Sequence, residues 1–324
     1  MKLDESRLLG DIGGTHARWA WQAAPGAPVQ DVAVRPCAAN ASLLDSARDY
    51  MAGSGHAAPS ALCIGIATPI TGDQVQMTNN DWAFSISQLQ HELGVARCLV
   101  INDFTALAMS LTALGPQDLR RIGGGDGAAV AGAPMALVGP GTGLGVSGLL
   151  PGPGGGWLPL SGEGGHVTLA AADDEEAAVL ALLRQRFGHV SAERVLSGPG
   201  LVNLHDALCT LAGQTPPART PADVVSAALA GSDKTCVHAA TLFAGFLGNV
   251  AGNLALTLGA RGGVYVGGGI LPRLGAAFDD TRFRQRFEDK GRFASYLRPL
   301  PTWAITAATP ALLGAARALD LMPG

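Results

Sequence analysis

Residues 8–21 read LLGDIGGTHARWAW, an apolar run, a turn of small residues and a second apolar run. This pattern predicts two strands joined by a turn at 13–15, with Asp11 near the end of the first strand. Residues 135–150, MALVGPGTGLGVSGLL, repeat the same plan around a second glycine turn. Two copies of one hairpin design indicate an old internal duplication, although hairpins are common enough to recur by coincidence.

Other strands and helices alternate along the chain. Apolar runs at 62–67, 98–101 and 264–266 predict strands, whereas 104–114 has the spacing of a helix. The alternation predicts an α/β fold with a domain boundary near 113–115. The uncharged stretch 239–260 contains several glycines and two asparagines, a composition that favours a buried, closely packed helix over a membrane span.

Composition excludes several classes of protein. The 324 residues are 48% hydrophobic and 15% charged, with 26 acidic against 22 basic side chains and a net charge of −4. The chain can therefore bury a core, and we expect no nucleic-acid partner and no polybasic membrane anchor. Five scattered cysteines without a C-x-x-C pair argue against a zinc knuckle and fit a reducing cytoplasm. Lys2 is closely followed by Asp4, which argues against a secretion signal.

Two nucleotide-binding motifs are disfavoured. Residues 143–148 match G-x-G-x-x-G, but they lie within the return strand of a predicted hairpin, and Pro151 and Pro153 follow where a helix would have to begin. The G-x-x-x-x-G-K-[ST] motif is absent because the chain has no Gly-Lys pair.

Three glycine turns after predicted strands offer another way to bind phosphate. Small residues let backbone amides approach phosphate oxygens, and Asp11 can hold Mg²⁺ directly or through water. Each of the first two loops alone is better interpreted as an ordinary turn, but all three together favour a nucleotide held between two domains. The candidate residues are Gly10, Asp11, Ile12, Gly13, Gly14, Thr15, Gly141, Thr142, Gly143, Gly267, Gly268 and Gly269.

Polar side chains mark a second set of candidates. Asp103 follows a predicted strand beside Asn102 and could accept a proton from a substrate hydroxyl, although in isolation a helix cap is the better interpretation. Glu163 and His166 stand among glycines and suggest ligand contact. Glu193 alone reads as an ordinary carboxylate in the first turn of a helix. Together these acceptors suit a ligand with many hydroxyls.

The sequence resembles the bacterial ATP-dependent glucokinase family, and the resemblance covers nearly the whole chain. It rests on the joint order of motifs that are individually weak: 10–15 (GDIGGT), 69–73 (PITGD), 77–79 (MTN), 82–86 (WAFSI), 101–106 (INDFTA), 141–146 (GTGLGV), 162–167 (GEGGHV), 191–201 (SAERVLSGPGL), 267–270 (GGGI) and 287–293 (FEDKGRF). Two departures are His16, where relatives often carry Asn, and Asn80-Asp81, in place of a His-containing pair.

The resemblance implies a two-domain actin-like ATPase (ribonuclease H-like) fold with an interdomain cleft. It implies a small domain, 1–112, joined by the C-terminal helix 309–324, and a large domain, 113–308. It also implies a cytoplasmic homodimer that uses ATP and Mg²⁺ to phosphorylate the 6-hydroxyl of D-glucose. Asp103 would be the catalytic base. The implied sugar contacts are Asn102, Asp103, Glu163, His166 and Glu193.

Two other functions remain open at this point. A sugar-sensing regulator would need a DNA-reading segment, and we expect none before Leu8. An actin-like ATPase without a sugar substrate would leave the three polar residues at 163, 166 and 193 without a role. Release of ADP from ATP and Mg²⁺, measured with and without glucose, separates the three functions.

Overall fold

The structure is a computed structural model that describes residues 5–78, 80–124 and 127–321. Asn79 of the motif at 77–79, residues 322–324 of the predicted C-terminal helix, and Lys2 and Asp4 lie outside the described residues. The contacts divide the chain into a first unit, Met1–Gly115 with Gly152–Ser161 and Ala307–Gly324, and a second unit, Pro116–Pro151 with Gly162–Thr306. The predicted domain boundaries and the predicted cleft stay predictions.

Strands and helices alternate along the described residues, so the predicted α/β class is confirmed. The strands are β1 Arg7–Ile12, β2 His16–Gln22, β3 Val29–Pro36, β4 Ala61–Ile66, β5 Gln74–Gln76, β6 Ala83–Ser85, β7 Arg97–Asn102, β8 Leu119–Arg121, β9 Met135–Pro140, β10 Leu144–Pro151, β11 Trp157–Pro159, β12 Val264–Val266 and β13 Thr302–Ile305. The helices are α1 Leu43–Ser54, α2 Ile86–Leu93, α3 Asp103–Ser110, α4 Asp174–Phe187, α5 Gly198–Leu211, α6 Pro221–Ala230, α7 Lys234–Leu258, α8 Ile270–Leu274, α9 Asp280–Glu288, α10 Ala294–Leu297 and α11 Pro310–Leu321.

The first unit is built on a five-stranded sheet in the order β3-β2-β1-β4-β7. The hairpin β1–β2 is antiparallel, whereas β1, β4 and β7 run parallel. In the parallel part, Ile12 is in register with Ile66, and Ile66 with Asn102. The carboxyl ends of these three strands therefore form one edge of the sheet, the position at which α/β proteins bind ligands.

Helix α11 packs on α3 in the first unit at very close range. A β-carbon at Gly314 would collide with the carbonyl oxygen of Ala106, so only glycine permits this approach. Strand β4 is equally close to α3, because a β-carbon at Gly65 would lie 2.9 Å from that of Ala106. Small residues on three elements thus hold the N-terminal half of α3 against the sheet.

In the second unit, β10, β9, β12, β13 and β8 are neighbours in that order. Strands β9 and β12 are parallel, with Val138 opposite Val266, so the two glycine turns that follow them start from the same edge. The core of this unit is largely aliphatic, as the low aromatic content of the sequence predicts.

Helix α7 is long and apolar enough to cross a membrane by length and composition alone. In the structure, however, 78% of its most apolar window is buried. A β-carbon at Gly248 would collide with the carbonyl oxygen of Phe283 in α9, which explains the glycine in this helix. The prediction of a buried helix packed closely on a neighbour is confirmed.

Two differences from the predicted elements have local causes. Helix α3 ends at Ser110 rather than near residue 114, and the hydroxyl groups of Ser110 and Thr112 donate to carbonyl oxygens three residues earlier. Such bonds compete with the helical pattern. Strand β3 is not predicted because it is an edge strand with mostly exposed side chains and no clear alternation.

Candidate active site

Two carboxylates lie at the same edge of the first unit's sheet. Asp11 is the fifth residue of β1, and Asp103 directly follows β7. The register aligns Asp11 with Gly65 and Gly65 with Ile101, which places the two aspartates at the carboxyl ends of the parallel strands on either side of β4. The proximity is electrostatically significant, because the charge of Asp11 raises the pKa of Asp103.

Asn102, rather than Asp103, caps helix α3. Its Oδ1 accepts hydrogen bonds from the backbone N–H groups of Phe104 (2.9 Å) and Thr105 (3.3 Å). Asp103 occupies the first helical position, and its Oδ1 accepts from the Phe104 N–H at 2.9 Å. Asn102 therefore makes most of the capping bonds that the sequence analysis considered for Asp103. The second oxygen of the Asp103 carboxylate is left for other chemistry.

Asp103 has the electrostatic character of a base that works near neutral pH. Burial, assisted by the negative charge of Asp11, raises its pKa from an ordinary 3.8 to about 6, against the lowering effect of the Phe104 N–H. A carboxylate with this pKa is ionised at pH 7, yet it is a stronger proton acceptor than an exposed aspartate.

Asp11 forms an ion pair with Arg18 across the hairpin, with 3.0 Å between Nη1 and Oδ2. Burial raises the pKa of Asp11, and the Arg18 guanidinium opposes this effect. The pair engages one carboxylate oxygen and leaves Oδ1 at the sheet edge. This donor set fits Mg²⁺, which keeps several waters and needs only one or two protein carboxylates beside nucleotide phosphates.

The turn after β1 is closed by a backbone hydrogen bond. The Gly13 N–H donates to the carbonyl of His16 at 3.0 Å, and Thr15 is exposed at the tip. Gly10 and Ile12, also predicted as nucleotide contacts, are buried within β1. A β-carbon at Gly10 would lie 3.0 Å from the Trp19 ring, so the absence of a side chain there has a packing cause.

In the second unit, two of the predicted glycine turns lie side by side. The Gly267 N–H donates to the carbonyl of Val138 at 2.9 Å, and Gly268 has a φ of +81° that favours glycine. A β-carbon at Gly268 would collide with the Pro140 carbonyl, immediately before the turn 141–143. Thr142 is exposed at the tip of that turn.

Glu193 contacts the same turn directly. Its Oε2 accepts from the Leu144 N–H at 2.9 Å, and it occupies the space where a β-carbon of Gly143 would lie. The carboxylate is thereby fixed against the turn by a charge-assisted hydrogen bond. The interpretation of Glu193 as an ordinary first-turn carboxylate misses this contact, which a single sequence cannot indicate.

Glu163 and His166 both have exposed side chains, on a short turn at Gly164–His166. Gly164 and Gly165 are explained by close packing rather than by a need for backbone flexibility. A β-carbon at Gly165 would collide with the Leu144 carbonyl, and one at Gly164 would lie 2.8 Å from Val146. This turn lies next to the Glu193 segment, because the Ala192 N–H donates to the carbonyl of Val167 at 2.9 Å.

Sequence reasoning missed Arg18 as the partner of Asp11, although a signal was present. A tight hairpin that pairs Ile12 with Ala17 also pairs Asp11 with Arg18, and cross-strand partners of opposite charge attract. By contrast, Ser197 before Gly198-Pro199 has the pattern of a helix cap, but that pattern does not indicate that its Oγ donates to the Glu193 carbonyl at 2.8 Å.

Comparisons with known proteins agree with this fold. The glucokinase family model matches residues 8–322. A glucokinase from Aromatoleum aromaticum is 56% identical over 97% of this chain and 94% of its own length. The solved structure of a glucokinase from an Antarctic psychrotroph has a TM-score of 0.90 and 35% identity, and the match covers 98% of this chain and 99% of that one.

A more distant solved structure shows the wider fold. A ROK family glucokinase from Streptomyces griseus, determined in complex with glucose and AMPPNP, matches with a TM-score of 0.61 at 19% identity, over 96% of this chain and 98% of that one. The predicted actin-like ATPase fold and the predicted enzyme class are both confirmed. On the strength of the family match and the near full-length identity, the chain belongs to the glucokinase family.

Proposed function

We propose that this chain transfers the γ-phosphoryl group of ATP to the 6-hydroxyl of D-glucose, with Asp103 as the catalytic base. The observation that carries the proposal is the Asp103 carboxylate, which lies at the carboxyl edge of the parallel strands with a pKa raised to about 6. Membership in the glucokinase family and the glucose-bound and AMPPNP-bound relative support the choice of substrates.

Asp103 orients the 6-hydroxyl and takes its proton as the hydroxyl oxygen bonds to the γ-phosphorus. The bond between that phosphorus and the β–γ bridging oxygen breaks, and ADP leaves with the electron pair. A carboxyl group with a pKa near 6 has already lost its proton at pH 7, so it can accept the proton of the hydroxyl without the help of a metal ion. Phosphoryl transfer relies mainly on positioning and charge stabilisation, so one well-placed base is sufficient.

The sugar is bound by Asn102, Glu163, His166 and Glu193 in addition to Asp103. Asn102 uses its Oδ1 to cap α3, so its amide NH₂ group is the part that can donate to a sugar oxygen. Glu163 and His166 present exposed polar groups. Glu193 accepts from Leu144 through Oε2, and its Oε1 is the oxygen proposed to accept from a sugar hydroxyl.

The nucleotide is bound by the three glycine turns. The turns 13–15 and 141–143 bind the phosphates through the backbone N–H groups of 14–15 and 142–143, because those of Gly13 and Gly141 already donate to His16 and Gly143. Residues 267–269 contact the adenosine, and Gly10 and Ile12 act only through β1. Asp11 would hold Mg²⁺, which supplies positive charge to the β- and γ-phosphate oxygens when it is bound. The amides stabilise the charge of the transferring group without a cluster of basic side chains.

The first experiment measures ADP release from ATP and Mg²⁺ by the purified chain, with and without glucose. We expect release only with glucose, and none with 6-deoxyglucose, which lacks the accepting hydroxyl. Release that does not depend on sugar would favour an ATPase, and sugar binding without release would favour a binding protein. Either result overturns the proposal.

The second experiment compares Asp103→Asn with Asp45→Asn, a matched change in the first turn of another helix of the same unit. We expect kcat to fall by about 10²–10⁴-fold only in Asp103→Asn. The asparagine oxygen can still accept the hydrogen bond from the Phe104 N–H. An ionised carboxylate with a raised pKa lowers the free energy of unfolding above pH 6, and the substitution removes this destabilisation. The variant should therefore unfold at the parent's temperature or higher at pH 7, and parent-like turnover would exclude Asp103 as the base.

The proposal also covers the oligomeric state of the protein and its location in the cell. We propose a homodimer, which light scattering of the purified chain tests, and a cytoplasmic location, which fractionation of the source cells tests. Both rest on the resemblance to the family, and the scattered free cysteines are compatible with a reducing compartment.

A further inference from the structure

A cluster of metal-type donors lies in the second unit, among residues that the proposed reaction does not use. His205 and Cys209 are one turn apart on α5, and Asp233 and Cys236 lie at the start of α7. The ligating atoms of His205, Asp233 and Cys236 are all within 4.8 Å of one another. Cys209 Sγ lies 3.6 Å from His205 Nε2, which makes it the candidate for a fourth donor.

The geometry of the pair on α5 fits a tetrahedral ion. Zinc bonds of about 2.0–2.1 Å to nitrogen and 2.3 Å to sulfur place two such ligands about 3.5 Å apart, close to the 3.6 Å observed. The imidazole is also oriented, because its Nδ1 lies 3.1 Å from Asp206 Oδ1 while Nε2 faces the cluster. A carboxylate on the other ring nitrogen is the usual support of a metal-bound histidine.

The burial of the donors also favours a structural metal site. His205, Cys209 and Cys236 are buried, at 1%, 4% and 0% exposure. Two thiolates, one carboxylate and a divalent cation sum to −1, and the charges of Arg219, 2.6 Å from Asp233 Oδ2, and of Asp206, 3.1 Å from His205 Nδ1, offset each other. Four protein donors, three of them buried, are typical of structural rather than catalytic zinc.

We propose that His205, Cys209, Asp233 and Cys236 form a structural Zn²⁺ site that ties α5 to the start of α7. The donors come from a His-x-x-x-Cys pair and an Asp-x-x-Cys pair on two helices, so the absence of a C-x-x-C motif does not exclude the site. The proposal concerns stability and does not depend on the catalytic assignment of Asp103.

The alternative is a metal-free cluster in which the Cys209 thiol bonds to His205. Without metal, burial raises the pKa values of both thiols, that of Cys236 to about 11, so they are protonated at pH 7. Metal binding would displace these protons, because zinc binds the thiolate. The two states therefore differ in a property that can be measured directly, the presence of metal–thiolate bonds.

The test uses Co²⁺ as a spectroscopic probe on the full chain after treatment with a chelator. We expect thiolate-to-cobalt charge-transfer absorption that saturates at one ion per chain and disappears when Zn²⁺ is added. Zn²⁺ should also raise the unfolding temperature. Cys98→Ser, which changes a cysteine in the first unit, is the matched control and should keep the absorption.

Three variants locate the ion. Cys209→Ser and Cys236→Ser should each lower the absorption, and Asp206→Asn should weaken cobalt binding by about 10–100-fold without removing a donor. The last variant keeps the test usable if a cysteine variant fails to fold. Absence of the absorption in the parent chain, or an absorption in both cysteine variants as strong as that of the parent, would overturn the proposal.

Discussion

Gly13 in the first unit and Gly165 in the second unit both belong to glycine-rich turns beside a strand, yet their surroundings differ. A β-carbon at Gly13 would meet only the His16 carbonyl, at an ordinary 3.5 Å, whereas one at Gly165 would collide with the backbone of Leu144. The glycine is therefore required by the fold at residue 165 but not at residue 13. Similar glycine motifs can thus differ physically: close packing requires the glycine at residue 165, whereas the space beside Gly13 would accept a β-carbon.

The carboxylates of the two units show a related contrast. Glu193 uses one oxygen on the Leu144 N–H and fills the space beside Gly143. Asp103 shares the Phe104 N–H with the Asn102 cap, and its pKa rises to about 6 through desolvation, assisted by the charge of Asp11. One carboxylate supports the turn that it contacts, and the other retains the basicity that proton transfer requires.

The largest effect on stability is expected for Gly165→Ala. The new methyl group would overlap a backbone carbonyl that cannot move away, so we expect a loss of about 2–4 kcal/mol. The matched control is Gly162→Ala in the same segment, where no atom lies within 4 Å of the added carbon. Chemical denaturation of both variants measures the difference, and equal stabilities would contradict the packing explanation.

Glu193→Ala is expected to have the next largest effect. It removes a charged acceptor from the Leu144 N–H, which costs about 1.5–3 kcal/mol, and it loosens the turn 141–143. We therefore expect KM to rise for ATP as well as for glucose. Glu193→Gln keeps an oxygen for Leu144 and should spare the KM for ATP. A change in the glucose KM alone in Glu193→Ala would mean that the contact does not support the turn.

The pH dependence of kcat/KM tests the basicity of Asp103. Its carboxylate must be ionised to accept a proton, so the rate should fall about tenfold per pH unit below a pKa of about 6. Because the charge of Asp11 raises this pKa, Asp11→Asn should move the acid limb to lower pH, whatever the remaining rate. A limb at the same pH in that variant would argue against the coupling of the two aspartates.

The smallest effect on stability is expected for Gly13→Ala, at about 0.5 kcal/mol or less, because no close contact opposes the methyl group. The same methyl group would obstruct phosphate approach, so the KM for ATP should rise about tenfold or more. Gly72→Ala, in open space of the same unit, is the control for both measurements. A large loss of stability in Gly13→Ala would remove the distinction between the two turns.

Local sequence patterns predicted much of the fold. The hairpin from residue 8 to 21, the second hairpin at 135–150 and the buried helix α7 all occur in the structure. These features depend on neighbours along the chain, where spacing and residue type carry the information. The edge strand β3 and the early end of α3 depend on weaker signals and were not predicted.

The order of motifs in the sequence also determined the family, the fold class and the set of residues that carry the proposed chemistry. Only the tertiary structure decided how some of the other residues are used: that Glu193 bonds to Leu144, and that His205 lies beside Cys236. The physical reason is separation along the chain. Hydrogen bonds, desolvation and steric exclusion act over a few ångströms, and residues far apart in sequence reach that range only after the chain has folded.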